Sequence, residues 1–331
     1  MTRIKHLLAA LLLVAAALPA EAREFRVSSF EPPLGFYSRQ VLQAWIDRIN
    51  PKLTAGSRFR LYPGGILGAA PAQAELVKAG VADVALVVTN YTPGLFPLSG
   101  VVELPGVAPS ATRGAAVLNA LADDGTLAGE YADYKVIALF TTPGYRIFTS
   151  RGARKPADLA GLKLRTPSPF ASELLALMGA SGVSIPAPQV YENLERGVVA
   201  GAVWVFDAYK TFRLNEVAPA ITSTRLTASP MAILMNRAAY ESMPEADRKV
   251  LDELAGRATA EWIADIVDTA DAEIEKSFRD ANKVTFIDPA DDEAAAWNAV
   301  VTRAPDIWIA AQPDRAAASA TLAKAKAASG G

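Results

Sequence analysis

Two hydrophobic rhythms alternate along the chain. Runs such as "EFRVSS" (24–29) and "RFRLYP" (58–63) set apolar residues at every second position, the period of a half-buried strand. "FYSRQVLQAWIDRI" instead places Val41, Leu42, Trp45, Ile46 and Ile49 on one helix face. "AQAELVKAG" reads as a short helix closed by Gly80. "VADVALVV" (81–88) is a nearly continuous β-branched run, which predicts a strand buried on both faces. Strand and helix alternate, so the pattern predicts an α/β fold with a mostly parallel sheet.

A second cycle begins at "KVIALF" (135–140) and "YRIFTS" (145–150) and runs on to "AVWVF" (202–206) and "MAILMN" (231–236). Within it, "AGLKLRTPSPFA" alternates Leu162 and Leu164 with Lys163 and Arg165, a short strand that the prolines at 167 and 169 end. Ser168 then offers an N-cap and Pro169 a first helical position. The permanently charged Arg165 therefore stands at the carboxyl end of a strand, where open α/β sheets receive ligands. From Pro244 to about Asp280 there is no interior proline and a single glycine, Gly256. Leu251, Leu254, Ala258, Trp262, Ile266, Ala270, Ile274 and Phe278 mark one face, which predicts one long helix able to bridge two lobes. The Ala-rich end, from Ala310 to Gly331, predicts a frayed helix and tail.

Composition narrows the chemistry. The first 22 residues join a basic start, "MTRIKH", to an apolar run from Leu7 to Leu18 and the small-x-small "AEA". That pattern predicts a secretory signal cleaved after Ala22, its apolar run too short for a bilayer span of ~20 residues. Without the leader the chain keeps 31 basic and 34 acidic residues, a balance with no basic stripe for nucleic acid. His6, the only histidine, leaves with the leader, and there is no cysteine. Ser-His-Asp and Cys-His catalysis and His- or Cys-built metal sites are therefore excluded from the mature chain, and no cofactor is expected. "YPGGILGA" lacks the pattern of a phosphate loop, and "DPADDE" reads as a helix start rather than a calcium loop. Arg146, in "GYRIFTS", is a second strand-edge arginine, and two guanidinium forks near one cleft would suit a carboxylate.

The stretches "RFRLYPGGILG", "ELVKAGVADVAL", "YTPGLFPLSGVVELPG", "PADLAGLKLRTPS" and "LLALMGASGVSIPAPQVYENLERGVVAG", in that order, resemble the solute-binding proteins of tripartite ATP-independent periplasmic (TRAP) transporters, the DctP-like family. The resemblance runs from about residue 24 to 290. It implies two α/β lobes that close over a small organic acid, with a long helix crossing both. The expected division is a signal peptide over 1–22, a first lobe from 23–143 plus 232–270, and a second from 144–231 plus 271–331. The family also implies a non-enzymatic periplasmic monomer that hands its ligand to TRAP permease membrane subunits. Importers of another kind, a periplasmic sensor and an exported enzyme are the alternative readings.

By resemblance, Arg165 pairs with the ligand carboxylate and Arg146 gives a second contact. Where many members read D-G-x-E-N-P, this chain has "AGAVWV", with Ala200 for the aspartate and Trp204 where a ligand-contacting asparagine would fall. An indole there favours an acid with an apolar body over a C4-dicarboxylate. Loops after the first-lobe strands bring Phe30, Thr89 and Tyr91 to the opposite wall, and Phe170 follows Arg165 at the helix start.

Overall fold

The structure is a computed structural model that describes residues 23–54 and 57–330. The expected leader and its cleavage site lie outside the described residues. Two sheets organise the chain. The first holds β1 (Glu24–Ser28), β2 (Arg58–Tyr62), β3 (Val84–Val88), β4 (Tyr134–Thr141) and β10 (Pro230–Asn236), in the order β2-β1-β3-β10-β4. The second holds β5 (Arg146–Thr149), β6 (Lys163–Thr166), β7 (Ser181–Ser184), β8 (Gly201–Trp204), β9 (Ala220–Thr222) and β11 (Thr285–Ile287), in the order β11-β9-β5-β8-β6-β7.

Both sheets are mostly parallel, as expected, and each carries one antiparallel strand, β10 in the first and β5 in the second. β1 runs parallel to β2 and β3, while β10 is antiparallel to β3 and β4. In the second sheet β6 is parallel to β7 and β8, and β5 is antiparallel to β8 and β9. The antiparallel strands sit where the chain changes sheets. β4 leaves the first sheet and β5 enters the second across residues 142–145 alone, and β10 brings the chain back. β3 is buried along its whole length, as its unbroken apolar run requires.

The long helical segment is two helices, Glu245–Glu253 and Arg257–Ala281. Gly256 divides them at a φ of 73°, a conformation glycine adopts without a Cβ penalty. The second helix ties the two layers together. Asp268 accepts from the backbone N–H groups of Ala111 (2.7 Å) and Thr112 (2.9 Å), at the start of the helix Ala111–Asp123 beside the first sheet. One turn on, Asp271 meets Arg146 of the second sheet.

The alanine-rich end also differs from expectation. Arg315–Ser329 is an ordered helix N-capped by Asp314, which accepts from Ala316 and Ala317 at 2.9 Å each. Ala318, Leu322 and Ala325 are buried, and Lys324 pairs with Asp124 at the end of Ala111–Asp123 (2.9 Å). Small residues at helical spacing let this helix lie close on its neighbour. It packs on the first lobe, whereas the expected division put 271–331 in the second.

Candidate functional site

Two proline-flanked turns fix the charged end of β6. Ser168 caps Pro169–Ala176 by accepting from the Ala171 N–H (3.1 Å), so the strand stops just beyond Arg165. β6 lies between β7 and β8, with Arg165 in register with Val183 and Ala202. The side chain is therefore fully buried, at 0% exposure. Its Nε donates to the Ile185 carbonyl (2.8 Å), Nη1 to the Val203 carbonyl (3.0 Å) and Nη2 to the Tyr91 hydroxyl (3.1 Å). The guanidinium lies over the Trp204 ring, 4.3 Å from its centroid. Every partner is neutral. Among the described residues no carboxylate comes within 4.0 Å of it. A guanidinium carries five N–H donors, and these three bonds leave two of them free.

Arg146 is as deeply buried, at 2%, but is differently placed. Its Nη1 donates to the Gly144 carbonyl (2.8 Å), and its Nη2 lies 2.9 Å from Asp271 and 3.0 Å from Glu275. Its charge is met by these two carboxylates of the long helix.

A cavity of about 30 Å³ is lined by Tyr91 and Trp204, the two side chains that touch the Arg165 guanidinium, though not by Arg165 itself. Phe30, Tyr91, Val88 and Met231 line it from the first lobe, and Trp204, Ala208 and Phe212 from the second. Trp204 stacks on Phe212 at 5.5 Å, and Phe30 lies 6.4 Å from Tyr91. Of the residues expected at a site, the structure brings Arg165, Tyr91, Trp204 and Phe30 together. Thr89 and Phe170 instead line a separate groove of about 620 Å³, beside Phe96 and Trp308. Thr89 also donates to the Pro230 carbonyl (3.3 Å).

The lobes meet directly beside the cavity, at Tyr91, and beside the separate groove, at Glu103. Tyr91, from the first lobe, accepts from Arg165 and from the Ala187 N–H (3.2 Å), both in the second. Glu103 of the first lobe accepts from the Ser168 hydroxyl of the second and from Asn90 Nδ2 (3.1 Å). Burial pushes the Glu103 carboxyl up to about 7 against the lowering effect of those two donors. A space of about 30 Å³ holds little more than a water or two, so an organic ligand enters only if the walls part.

The opposite wall carries acids that the sequence did not single out. Glu31 is buried and accepts from the backbone N–H groups of Tyr37 (2.8 Å) and Ser38 (3.3 Å). Burial raises it to about 7 although those bonds pull it down. Asp207, 3% exposed, lines the same cavity with neither carboxylate oxygen hydrogen-bonded. Burial raises its pKa well above the usual range, and the nearby Glu31 and Asp271 add to the effect. The signal for it was present in "VWVFDAYKTF": one acid in an apolar run, where β8 gives way to the helix Phe206–Thr211. "AVWVF" is thus not one strand, because β8 stops at Trp204 and Phe206 opens that helix.

Comparison with known proteins decides the family. Residues 32–309 match DctP, bacterial extracellular solute-binding protein, family 7. The chain belongs to this family. A TRAP solute-binding protein from a marine metagenome, described as specific for aromatic acid ligands and solved with 3-hydroxybenzoate, superposes with a TM-score of 0.88. It is 28% identical, over 94% of this chain and 98% of that one. A solute-binding protein of Albidiferax ferrireducens is 24% identical over 77% of this chain and 72% of its own length. The 2,3-diketo-L-gulonate-binding periplasmic protein of Escherichia coli is 25% identical over 60% of this chain and 61% of its own length. The architecture is the two-lobe one of TRAP binding proteins, and no helix among the described residues is long and apolar enough to cross a membrane.

Proposed function

We propose that this protein captures a small organic acid in the periplasm and delivers it to a TRAP permease, without chemical turnover. The observation that carries the reading is Arg165, a fully buried cation with no anion beside it among the described residues. A buried charge is costly unless paired, and a ligand carboxylate is the natural complement of the two free N–H donors. The cavity's other polar lining residues are Glu31, Tyr37, Thr142, Tyr145 and Asp207. Phe30, Tyr91, Trp204, Phe212, Val88 and Met231 favour an acid with an apolar or aromatic body. The marine relative's description as specific for aromatic acids supports that preference. Thr89 and Phe170 have no part in this contact, and Arg146 acts as a brace.

The test is a thermal-shift screen of residues 23–331 against monocarboxylates and dicarboxylates. An acid at a hundred times its dissociation constant adds ~2.7 kcal/mol of stability. Aromatic and branched monocarboxylates are expected to raise the melting temperature more than succinate does. A screen in which only neutral solutes stabilise the protein would sink the reading.

A further inference from the structure

The cavity has a second unsatisfied wall. Asp207 is 3% exposed, and neither of its oxygens has a hydrogen-bond partner among the described residues. The backbone amides of Asp207 and Ala208, at the first turn of Phe206–Thr211, face the carboxyl and offset part of the burial without a well-formed bond. The hydroxyl of Tyr37, lining the same cavity, is also buried and unpartnered. Asp207 also lines a surface crevice of about 840 Å³ together with Arg39, Lys210 and Glu273, yet neither cation comes within 4.0 Å of it. Buried polar groups in folded proteins nearly always have partners, so an orphaned carboxyl and an orphaned phenol facing one small cavity need a reason. Fold stability does not supply it, because the arrangement costs stability.

Resting on the carboxylate reading above, we propose that Asp207 is a specificity residue that accepts a hydrogen bond from a donor on the ligand, a hydroxyl or an ammonium, remote from the carboxylate held by Arg165. The two ends of the site then ask for different things. Arg165 takes the anion at the Tyr91 and Trp204 side, the aromatic walls take an apolar body, and Asp207 with Tyr37 takes the donor. A site built to hydrogen-bond a ligand group rejects the analogue lacking it, because its own polar atoms are then left unpaired.

The experiment uses residues 23–331 and three probes in calorimetry: the size-matched 3-hydroxybenzoate and 3-methylbenzoate, and the one-atom-longer 3-(aminomethyl)benzoate. Wild type should bind at least one of the donor-bearing acids ten-fold or more tighter than the methyl acid. Asp207→Leu should erase that gap, and Arg165→Ala should weaken all three acids alike. A ligand-free readout stands beside this: Asp207→Asn should raise the melting temperature, since it removes a buried unpartnered acid. If wild type binds 3-methylbenzoate as tightly as both donor acids, with all three depending on Arg165, the Asp207 assignment is overturned while the anion site stands. If none of the three depends on Arg165, the carboxylate reading fails and this proposal falls with it. A lower melting temperature for Asp207→Asn would show a structural bond that the assignment denies.

Discussion

Arg146 and Arg165 lie on the two strands that flank β8, on the same face of one sheet, in register with Trp204 and Ala202 respectively. Both are almost completely removed from water. Both lie over an aromatic ring, Phe206 at 4.7 Å for Arg146 and Trp204 at 4.3 Å for Arg165. They differ in what faces their charge. Arg146 has Asp271 and Glu275 from the long helix, whereas Arg165 has two carbonyls and a phenol. A buried ion pair complete within the chain is architecture, while a buried ion whose partner is missing from the chain is a request for a ligand. Burial and residue type are alike at the two positions, so neither separates the roles. The accounting of counter-charges does.

The sharpest way to break this comparison is to remove each guanidinium in turn. Arg165→Ala leaves the ligand carboxylate in a dry cleft without its cation. Breaking such a pair costs ~3–5 kcal/mol, roughly 10²–10³-fold or more in affinity. Arg165→Lys should rescue only part of it, since an ammonium lacks the two-pronged geometry. Calorimetry finding Arg165→Ala as tight as wild type would end the distinction.

Arg146→Ala should have the opposite signature. Asp271, already raised by burial and held down chiefly by Arg146, loses its cation. The expected loss is ~3 kcal/mol or more of stability, a fall of roughly 5–10 °C in melting temperature. Affinity for the acid, measured below the new transition, should change by less than about three-fold. A large affinity loss with an unchanged melting temperature would move Arg146 into the site.

The next effect is smaller and depends on pH. The Glu103 carboxyl is raised from 4.5 to about 7 in the folded state. Between these values the native protein holds a proton that the unfolded chain has released. Its stabilising contribution is therefore complete below about 4.5 and is lost as pH rises towards 7. At 1.36 kcal/mol per pKa unit, the loss is at most on the order of 3 kcal/mol. Glu103→Gln keeps an acceptor for Ser168 or Asn90 and removes the titration. Its melting temperature should gain on wild type as pH goes from 5 to 8, with Glu31 and Asp207 titrating alike in both proteins. Parallel curves would show that this contact between lobes is not governed by the Glu103 proton.

Much of the fold was legible in the chain. The unbroken apolar run of β3 and the helix-face spacing of Val41 to Ile49 carry their own burial, and Ser168 with Pro169 carries its own helix start. What failed to show depends on partners distant in sequence. Antiparallel β10 follows from a chain that changes sheets, and no local pattern marks that. The alanine-rich end looked frayed because alanine alone buries little, and its order comes from Ala111–Asp123 lying against it. At the site, Arg165 stood out by its place at a strand end. The neutrality of its surroundings, and the acids on Arg146, emerged only once the long helix was in position. Asp207 was visible as a lone acid in an apolar run, but its lack of partners is a property of the fold.

The finest test concerns Tyr91, whose hydroxyl accepts from Arg165. Tyr91 comes from the first lobe and accepts from two donors of the second, Arg165 Nη2 and the Ala187 N–H. Its own hydroxyl proton is not engaged by any described residue, so a carboxylate drawn to Arg165 can take it. Tyr91→Phe keeps the ring against Phe30 and deletes the oxygen. A hydrogen bond of this kind contributes about 1 kcal/mol net, so affinity for the acid should fall roughly five-fold. The unliganded lobes, having lost one of their ties, should also part more readily, giving a slightly larger radius of gyration in small-angle scattering. Both changes should leave the Arg146 brace untouched, so the melting temperature should move far less than in Arg146→Ala. If Tyr91→Phe binds the acid more tightly, the hydroxyl competes with the ligand for Arg165 instead of joining it. The cleft would then be held shut by a surrogate that the ligand must displace.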